Sequence, residues 1–173
     1  QGLDQLYFIV SFCLLYTIRD IRKIAGLVTA FTLGHSITLA LAAMDRININ
    51  PEVVEWLIPI TILISCLVNF WTLLKGEKHQ ISKGYLIYVL ILFFGLIHGL
   101  GFSNFLSAML FEGESILTPL LGFNIGIELA QLVIVFVVLT VLWLSDRFLR
   151  IKKGVRLVLN SVITLLVLQM IFL

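Results

Sequence analysis

The feature that most constrains this chain is an apolar run from Ile24 to Met44 that contains no Asp, Glu, Lys or Arg. A helix needs about 20 apolar residues to cross the hydrocarbon core of a bilayer, so this run has the length of one membrane span. His35 lies near its middle. An ionisable side chain at that depth is costly, and its default interpretation is a functional site.

The chain contains five further apolar runs, and short charged connections separate all six. The six runs are 3–18, 24–44, 55–74, 84–111, 117–145 and 154–173. The composition agrees, since 60% of the 173 residues are hydrophobic and 13% are charged, against about 25% charged residues in soluble domains. The runs lack the period-two alternation of a membrane β-barrel. We therefore expect an all-α polytopic membrane protein, with six transmembrane helices bundled in a single domain over residues 1–173.

The basic residues predict how this bundle is oriented. Eleven of the twelve Lys and Arg residues lie in or beside loops 19–23, 75–83 and 146–154. Because positively charged loops stay in the cytoplasm, we expect these three loops on the cytoplasmic side and both termini outside. The sequence has no basic stripe of the kind that binds nucleic acid, so we expect no nucleic-acid partner.

Polar side chains from several spans converge at a similar depth. With a rise of about 1.5 Å per residue, His35 and His98 lie roughly 16 and 21 Å along their spans from the cytoplasmic end. On span five, Asn124 and Glu128 lie roughly 10 and 16 Å below the outer surface. Asp4 lies at the outer end of span one. Four helices thus bring polar groups to the outer half of the membrane.

Two imidazoles with one or two carboxylates form a ligand set suited to a divalent transition metal. The predicted ligands are His35, His98, Glu128 and Asp4. Other polar residues would orient these ligands or extend a path: Thr32, Ser36, Asn124, Gln131 and Asn69. Two interpretations stay open beside the metal site. Glu128 could relay protons with a histidine, or the polar groups could simply join the helices.

Four sequence blocks resemble the signatures of the HupE/UreJ family, in the same order and on spans one, two, four and five. They are Gly2–Phe8 (GLDQLYF), Phe31–Leu39 (FTLGHSITL), His98–Phe102 (HGLGF) and Gly122–Gln131 (GFNIGIELAQ). The resemblance covers nearly the whole chain. In the first block the family typically has Asp-His, whereas here Asp4 is followed by Gln5.

The resemblance implies a membrane permease or accessory protein for nickel, associated with the maturation of hydrogenase and urease. It also implies functional roles for His35, His98 and Glu128, with Asp4 from the first block. We therefore expect a transporter for a divalent transition metal in the bacterial inner (plasma) membrane. Nickel is the first expectation for the bound ion, with cobalt or zinc as alternatives. Besides the ion and the lipid bilayer, the expected partners are a second copy of the chain or a metalloenzyme maturation protein.

Two alternatives to a transporter remain at this point. One is a zinc-dependent intramembrane hydrolase, which would need an open coordination position and a general base. The sequence has no His-Glu-x-x-His or Gly-x-Ser-x-Gly motif, so we do not expect an enzyme. The other is a membrane accessory protein that transports nothing.

Overall fold

The computed structural model describes residues 2–44, 46–47, 49–75, 85–109, 117–148 and 152–172, with the backbone alone for 103–109, 117 and 152. Within these ranges the chain forms six α-helices, one short 3-10 helix at Ile18–Asp20 and no strand, which confirms the all-α class. The α-helices are α1 Gly2–Cys13, α2 Ile21–Ala43, α3 Pro51–Lys75, α4 Tyr85–Met109, α5 Leu117–Phe148 and α6 Lys152–Phe172. Most of loop 75–83, part of loop 146–154 and the end of the predicted span 84–111 lie outside the described residues.

Five helical stretches are long and apolar enough to cross a membrane. They are Ile18–Ala43, Pro51–Lys75, Tyr85–Phe102, Thr118–Phe148 and Lys153–Phe172. These stretches correspond to predicted spans two to six, and their outer faces carry exposed apolar side chains such as Trp71, Phe93 and Phe136. The chain is therefore a membrane protein. The first predicted span, 3–18, contains α1, whose 12 residues are fewer than the roughly 20 that a straight span needs.

Helix α1 ends at Cys13 because the backbone tightens into two turns. The Leu14 amide donates to Ser11 O at 3.2 Å, and the Tyr16 amide donates to Cys13 O at 3.1 Å. Both bonds reach back three residues, as in a 3-10 turn, so the α-helix does not continue. The amide and hydroxyl of Thr17 then donate to the Asp20 carboxylate at 3.0 and 2.8 Å, which starts the short 3-10 helix.

The backbone carbonyls left open after α1 are satisfied from the far end of the chain. Arg156 Nη1 donates to Leu14 O at 3.0 Å and to Tyr16 O at 3.3 Å. Its Nη2 donates to the Asp146 carboxylate at 2.9 Å, and these two charged side chains are 10% and 18% exposed. One guanidinium therefore joins the end of α1, the end of α5 and the start of α6.

Helices α2 and α4 make the most extensive helix–helix contact. Two glycines allow their backbones to touch. A Cβ atom at Gly34 would lie 2.9 Å from Leu96 N, and one at Gly95 would lie 2.9 Å from the Phe31 carbonyl carbon. Ordinary carbon contacts are about 3.5–4.0 Å, so no larger residue fits at either glycine without separating the helices. This contact brings together the two helices that carry the intramembrane histidines.

The opposite end of the bundle from Arg156 contains a cavity of about 320 Å³. Asp4 and Glu55 line it from the first turns of α1 and α3, and Gly101 and Met170 line it from the later parts of α4 and α6. The starts of α1 and α3 thus share one end of the bundle with the later turns of α4 and α6. Alternating helix directions along the chain account for this arrangement.

Candidate functional site

His35 on α2 is completely buried, with a relative exposure of 0%. Among the described residues, neither of its ring nitrogens has a hydrogen-bond partner. Its neighbours are aromatic, with ring centroids 6.3 Å away for Phe31, 5.4 Å for Phe102 and 6.5 Å for Phe123. A neutral imidazole carries one N–H donor and one acceptor nitrogen, and leaving such a group unpaired costs about 1–3 kcal/mol. A buried polar group of this kind calls for an ion or water as its partner.

His98 on α4 is also buried, at 2% exposure, but its ring has a polar partner. Its Nε2 atom lies 2.9 Å from Oγ1 of Thr61 on α3. The Phe8 and Phe31 rings pack against it, with centroid distances of 5.3 and 5.2 Å. One hydroxyl and two aromatic rings therefore contact this imidazole.

The structure places the two predicted histidine ligands close to each other. Both imidazoles contact the ring of Phe31. The residue after His98 is Gly99, and a Cβ atom there would lie 3.0 Å from the Cα atom of His35. The close contact of α2 with α4 thus places the two histidine-bearing turns side by side.

Glu128 faces a different partner. Its carboxylate oxygen Oε1 accepts a hydrogen bond of 2.7 Å from the hydroxyl of Thr29, where α5 packs on α2. In the part of the chain that the structure describes, no group of three or more His, Cys, Asp or Glu side chains could hold a metal ion. The four predicted ligands are therefore not assembled around one point: two histidines are neighbours, and two carboxylates lie elsewhere.

A further polar contact joins α2 and α5, between Thr32 and Gln131. Oγ1 of Thr32 lies 3.1 Å from the backbone oxygen of Val28 and 3.2 Å from the side-chain oxygen of Gln131. Ser36 donates to the backbone oxygen of Thr32 at 2.7 Å. The Oδ1 atom of Asn124 is buried and has no hydrogen-bond partner within the described ranges. Thr32 and Gln131 thus extend the α2–α5 contact that Thr29 and Glu128 begin.

Asp4, the fourth predicted ligand, lies in the wall of the 320 Å³ cavity at the start of α1. Glu55 of α3 lines the same cavity, so two carboxylates belong to one opening. Ile58 and Gly101 also line it. Both lie about one helical turn from the contact between Thr61 and His98, so the cavity ends close to this histidine.

A comparison of the sequence with models of known protein families identifies the family of this chain. The sequence model of the family described as HupE / UreJ protein matches residues 1–173. The chain belongs to the HupE/UreJ family. The resemblance found in the sequence is thereby confirmed over the whole chain. No curated protein and no solved structure matches the chain.

The four HupE/UreJ blocks occupy three different places in the structure. The second and third blocks supply the neighbouring His35 and His98. The fourth supplies Glu128, at the contact between α5 and α2. The first supplies Asp4, at the cavity.

Asn69, predicted as part of a path, belongs to a polar cluster in the other half of the bundle. Its side-chain nitrogen donates to Ser11 O at 2.7 Å and to Asn160 Oδ1 at 3.0 Å. Asn160 in turn donates to Cys66 O at 3.0 Å. This cluster joins α1, α3 and α6, and it uses the amide groups of both asparagines as helix-to-helix bonds.

Sequence reasoning missed Thr61 and Thr29, the hydroxyl partners of His98 and Glu128. A signal for Thr61 exists, because it lies four and eight residues before Ser65 and Asn69 and so shares their face of α3. No comparable sequence pattern indicates Thr29 as the partner of Glu128. Its pairing with Glu128 depends on how α5 is rotated about its own axis.

Proposed function

We propose that this HupE/UreJ protein is a permease for a divalent transition-metal ion, nickel or cobalt, in the inner membrane of a bacterium. The observation that carries the proposal is the buried, unpartnered imidazole of His35 beside His98. Imidazole nitrogen is a ligand for nickel, cobalt and zinc, and it binds them as the neutral ring. An arriving ion would supply the partner that the His35 ring lacks.

A site with one imidazole held by a hydroxyl and one without a hydrogen-bond partner suits transport better than storage. Conduction requires binding that is favourable enough to admit the ion and weak enough to release it. Glu128 would add charge to the site by exchanging its hydrogen bond with Thr29 for the ion. Such an exchange would loosen the contact between α5 and α2, so binding and helix movement would be linked.

The cavity at the start of α1 supports a route for the ion. Asp4 and Glu55 place two carboxylates at its wall, and like-charged walls raise the local concentration of an oppositely charged substrate. Gly101 in the same wall lies about one helical turn from His98 on α4, and Ile58 lies about one turn from Thr61 on α3. The proposed order of passage is therefore the acidic cavity, His98, His35 and then the opposite end of the bundle.

The proposed placement in the membrane follows the positive-inside rule. The cavity end, with Asp4 and Glu55, would face outward together with both termini. Loops 19–23, 75–83 and 146–154 would lie in the cytoplasm. Helix α1 would serve as the sixth membrane-embedded helix together with the turn that follows it, although its 12 residues do not cross the bilayer alone.

The geometry gives less support to the zinc hydrolase. A catalytic zinc needs three protein ligands held together, with a fourth position left for water. Among the described side chains, no three His, Cys, Asp or Glu residues meet in this way. The accessory protein differs from the permease in one measurable respect, because it would bind an ion or a partner without moving the ion across the bilayer.

Two measurements test the proposal. The first is the affinity of the purified, chelator-treated protein for Ni²⁺, Co²⁺, Zn²⁺ and Cu²⁺ in parallel titrations. The second is uptake of these ions into sealed proteoliposomes that contain a metal-sensitive dye. We expect stoichiometric binding of Ni²⁺ or Co²⁺, with Cu²⁺ tighter as the Irving–Williams order requires, and uptake of Ni²⁺ or Co²⁺ that depends on the protein.

The chain offers matched variants for both measurements. His35→Phe keeps a flat ring among the surrounding phenyl groups while it removes both nitrogens, so it should retain the fold and lose binding. His79→Ala removes the histidine that the sequence places in loop 75–83, outside the described residues, and should bind like the wild type. Wild-type affinity in His35→Phe would contradict the site. Binding without uptake would contradict the permease and favour the accessory protein.

A further inference from the structure

The hydroxyl of Thr61 has two close polar partners. It lies 2.7 Å from the backbone oxygen of Ile58 and 2.9 Å from Nε2 of His98. A threonine hydroxyl has a single proton to donate and lone pairs with which to accept. Only one of the two contacts can therefore use the Thr61 proton.

The carbonyl of Ile58 decides which contact that is. A carbonyl oxygen has no proton, so its short contact with Thr61 requires the hydroxyl to donate. The Thr61 oxygen must then accept from His98, which needs a proton on Nε2. We infer that Thr61 is a positioning residue that holds His98 in the tautomer with its proton on Nε2 and its lone pair on Nδ1.

Burial makes this arrangement selective. Thr61 is 3% exposed and His98 is 2% exposed, so bulk water does not compete for their hydrogen bonds. In the other tautomer the unprotonated Nε2 would face an oxygen whose proton is already bonded to Ile58. Two lone pairs would then point at each other, and one buried hydrogen bond would be lost.

The consequence for metal binding rests on the proposed function. A metal ion binds an imidazole through the unprotonated nitrogen, and the partner of the other nitrogen fixes the ring. His98 would therefore bind the ion through Nδ1. His35 differs, because neither of its nitrogens has a hydrogen-bond partner in the described part of the chain. Thr61 makes His98 the fixed ligand of the pair, and His35 the one that is free to change tautomer.

The test is ¹⁵N NMR of the metal-free protein in lipid nanodiscs, with ¹⁵N-labelled histidine, at a pH where the imidazoles are neutral. Protonated and unprotonated ring nitrogens resonate in separate regions. The sequence has three histidines, so single substitutions assign each ring. The variants are Thr61→Val, which removes the hydroxyl, and Thr61→Ser, which keeps it. Thr72→Val, further along α3, is the matched control.

We expect the wild-type His98 ring to carry its proton on Nε2, with the same spectrum in Thr61→Ser and Thr72→Val. In Thr61→Val the His98 signals should shift to a mixture of tautomers. Titration with Ni²⁺ should show affinity lower by about 10- to 100-fold in Thr61→Val, the usual effect of losing a group that orients a metal ligand. Thr61→Ser should restore it.

Two spectra would overturn the inference whatever the metal titration shows. One is a wild-type His98 ring with its proton on Nδ1. The other is a Thr61→Val ring unchanged from the wild type. Failure of the proposed function looks different: no ion would bind to the wild-type protein, while the His98 spectrum would still show the proton on Nε2 and its dependence on Thr61.

Discussion

The contact between α2 and α4 allows a quantitative prediction for Gly95→Ala. The new Cβ atom would lie 2.9 Å from the Phe31 carbonyl carbon and 3.1 Å from its Cα atom. Carbon atoms normally pack at about 3.5–4.0 Å, and the Phe31 carbonyl oxygen would lie still closer to this Cβ atom, so the two backbones must separate by about 1 Å or more. These atoms belong to a helix backbone and cannot rotate away as a side chain can.

The magnitude comes from a comparison with Gly126→Ala on α5. No described atom lies within 4 Å of a Cβ atom at Gly126. Both variants gain the same intrinsic helix preference of alanine over glycine, about 1 kcal/mol, so that gain cancels in the comparison. The difference between them is the cost of overpacking, about 1–3 kcal/mol. We expect the upper half of this range because the Gly95 contacts are with backbone.

The assay is the free energy of unfolding of both variants in the same detergent, measured by denaturant titration and followed by circular dichroism. The same separation of α2 from α4 should also move His98 relative to His35. Titration with Ni²⁺ should therefore show weaker binding in Gly95→Ala than in Gly126→Ala. Equal unfolding free energies in the two variants would refute the argument from close packing.

Three further predictions concern charged residues. Glu128→Gln should keep the hydrogen bond from Thr29, because an amide oxygen still accepts it, yet lower Ni²⁺ affinity about tenfold or more in calorimetric titration. That factor corresponds to about 1.4 kcal/mol. Arg156→Met should lower the unfolding free energy by about 3 kcal/mol, since the partly buried Asp146 carboxylate would lose its counter-ion and two backbone carbonyls would lose their donor. In the same denaturant titration, the double variant Arg156→Met with Asp146→Leu should recover only the part of this loss that comes from Asp146, because Leu14 O and Tyr16 O still lack their donor. Glu55→Gln should raise the KM of ion uptake several-fold with kcat unchanged, and the effect should shrink at high salt, as initial rates in proteoliposomes will show.

Each of these three predictions has an outcome that contradicts it. Unchanged Ni²⁺ affinity in Glu128→Gln would remove this carboxylate from the binding site. A double variant as unstable as Arg156→Met would mean that the stranded charge of Asp146 is not a cause of the loss. A lower kcat in Glu55→Gln would mean that this residue acts on passage rather than on capture.

Depth in the membrane could be predicted from the sequence, whereas rotation about the helix axis could not. The rise per residue places His35, His98 and Glu128 at similar heights, and the structure does bring the two histidines together. Glu128 instead turns to Thr29. Asn124, Glu128 and Gln131 form one polar stripe on α5, but the spacing of a stripe does not indicate which neighbouring helix it meets.

The short α1 could not be predicted for a different reason. Residues 3–18 contain no glycine or proline that would mark a break, so the run reads as one helix. The break after Cys13 is supported by Arg156, whose guanidinium bonds to Leu14 O and Tyr16 O. Arg156 lies 142 residues from Leu14 along the chain. The sequence around residues 13–17 therefore gives no indication of this hydrogen bond.

This distant support has a consequence for how the protein is made. Helix α1 is synthesised first, but the donor for the carbonyls of Leu14 and Tyr16 leaves the ribosome only with α6. Until then, water or the insertion machinery must satisfy these groups, because lipid offers no hydrogen bonds. The end of the first helix therefore gains its final hydrogen bonds only after the last helix has been made. A chain interrupted before Arg156 would hold four finished helices, α2 to α5, and an α1 whose end lacks its donor.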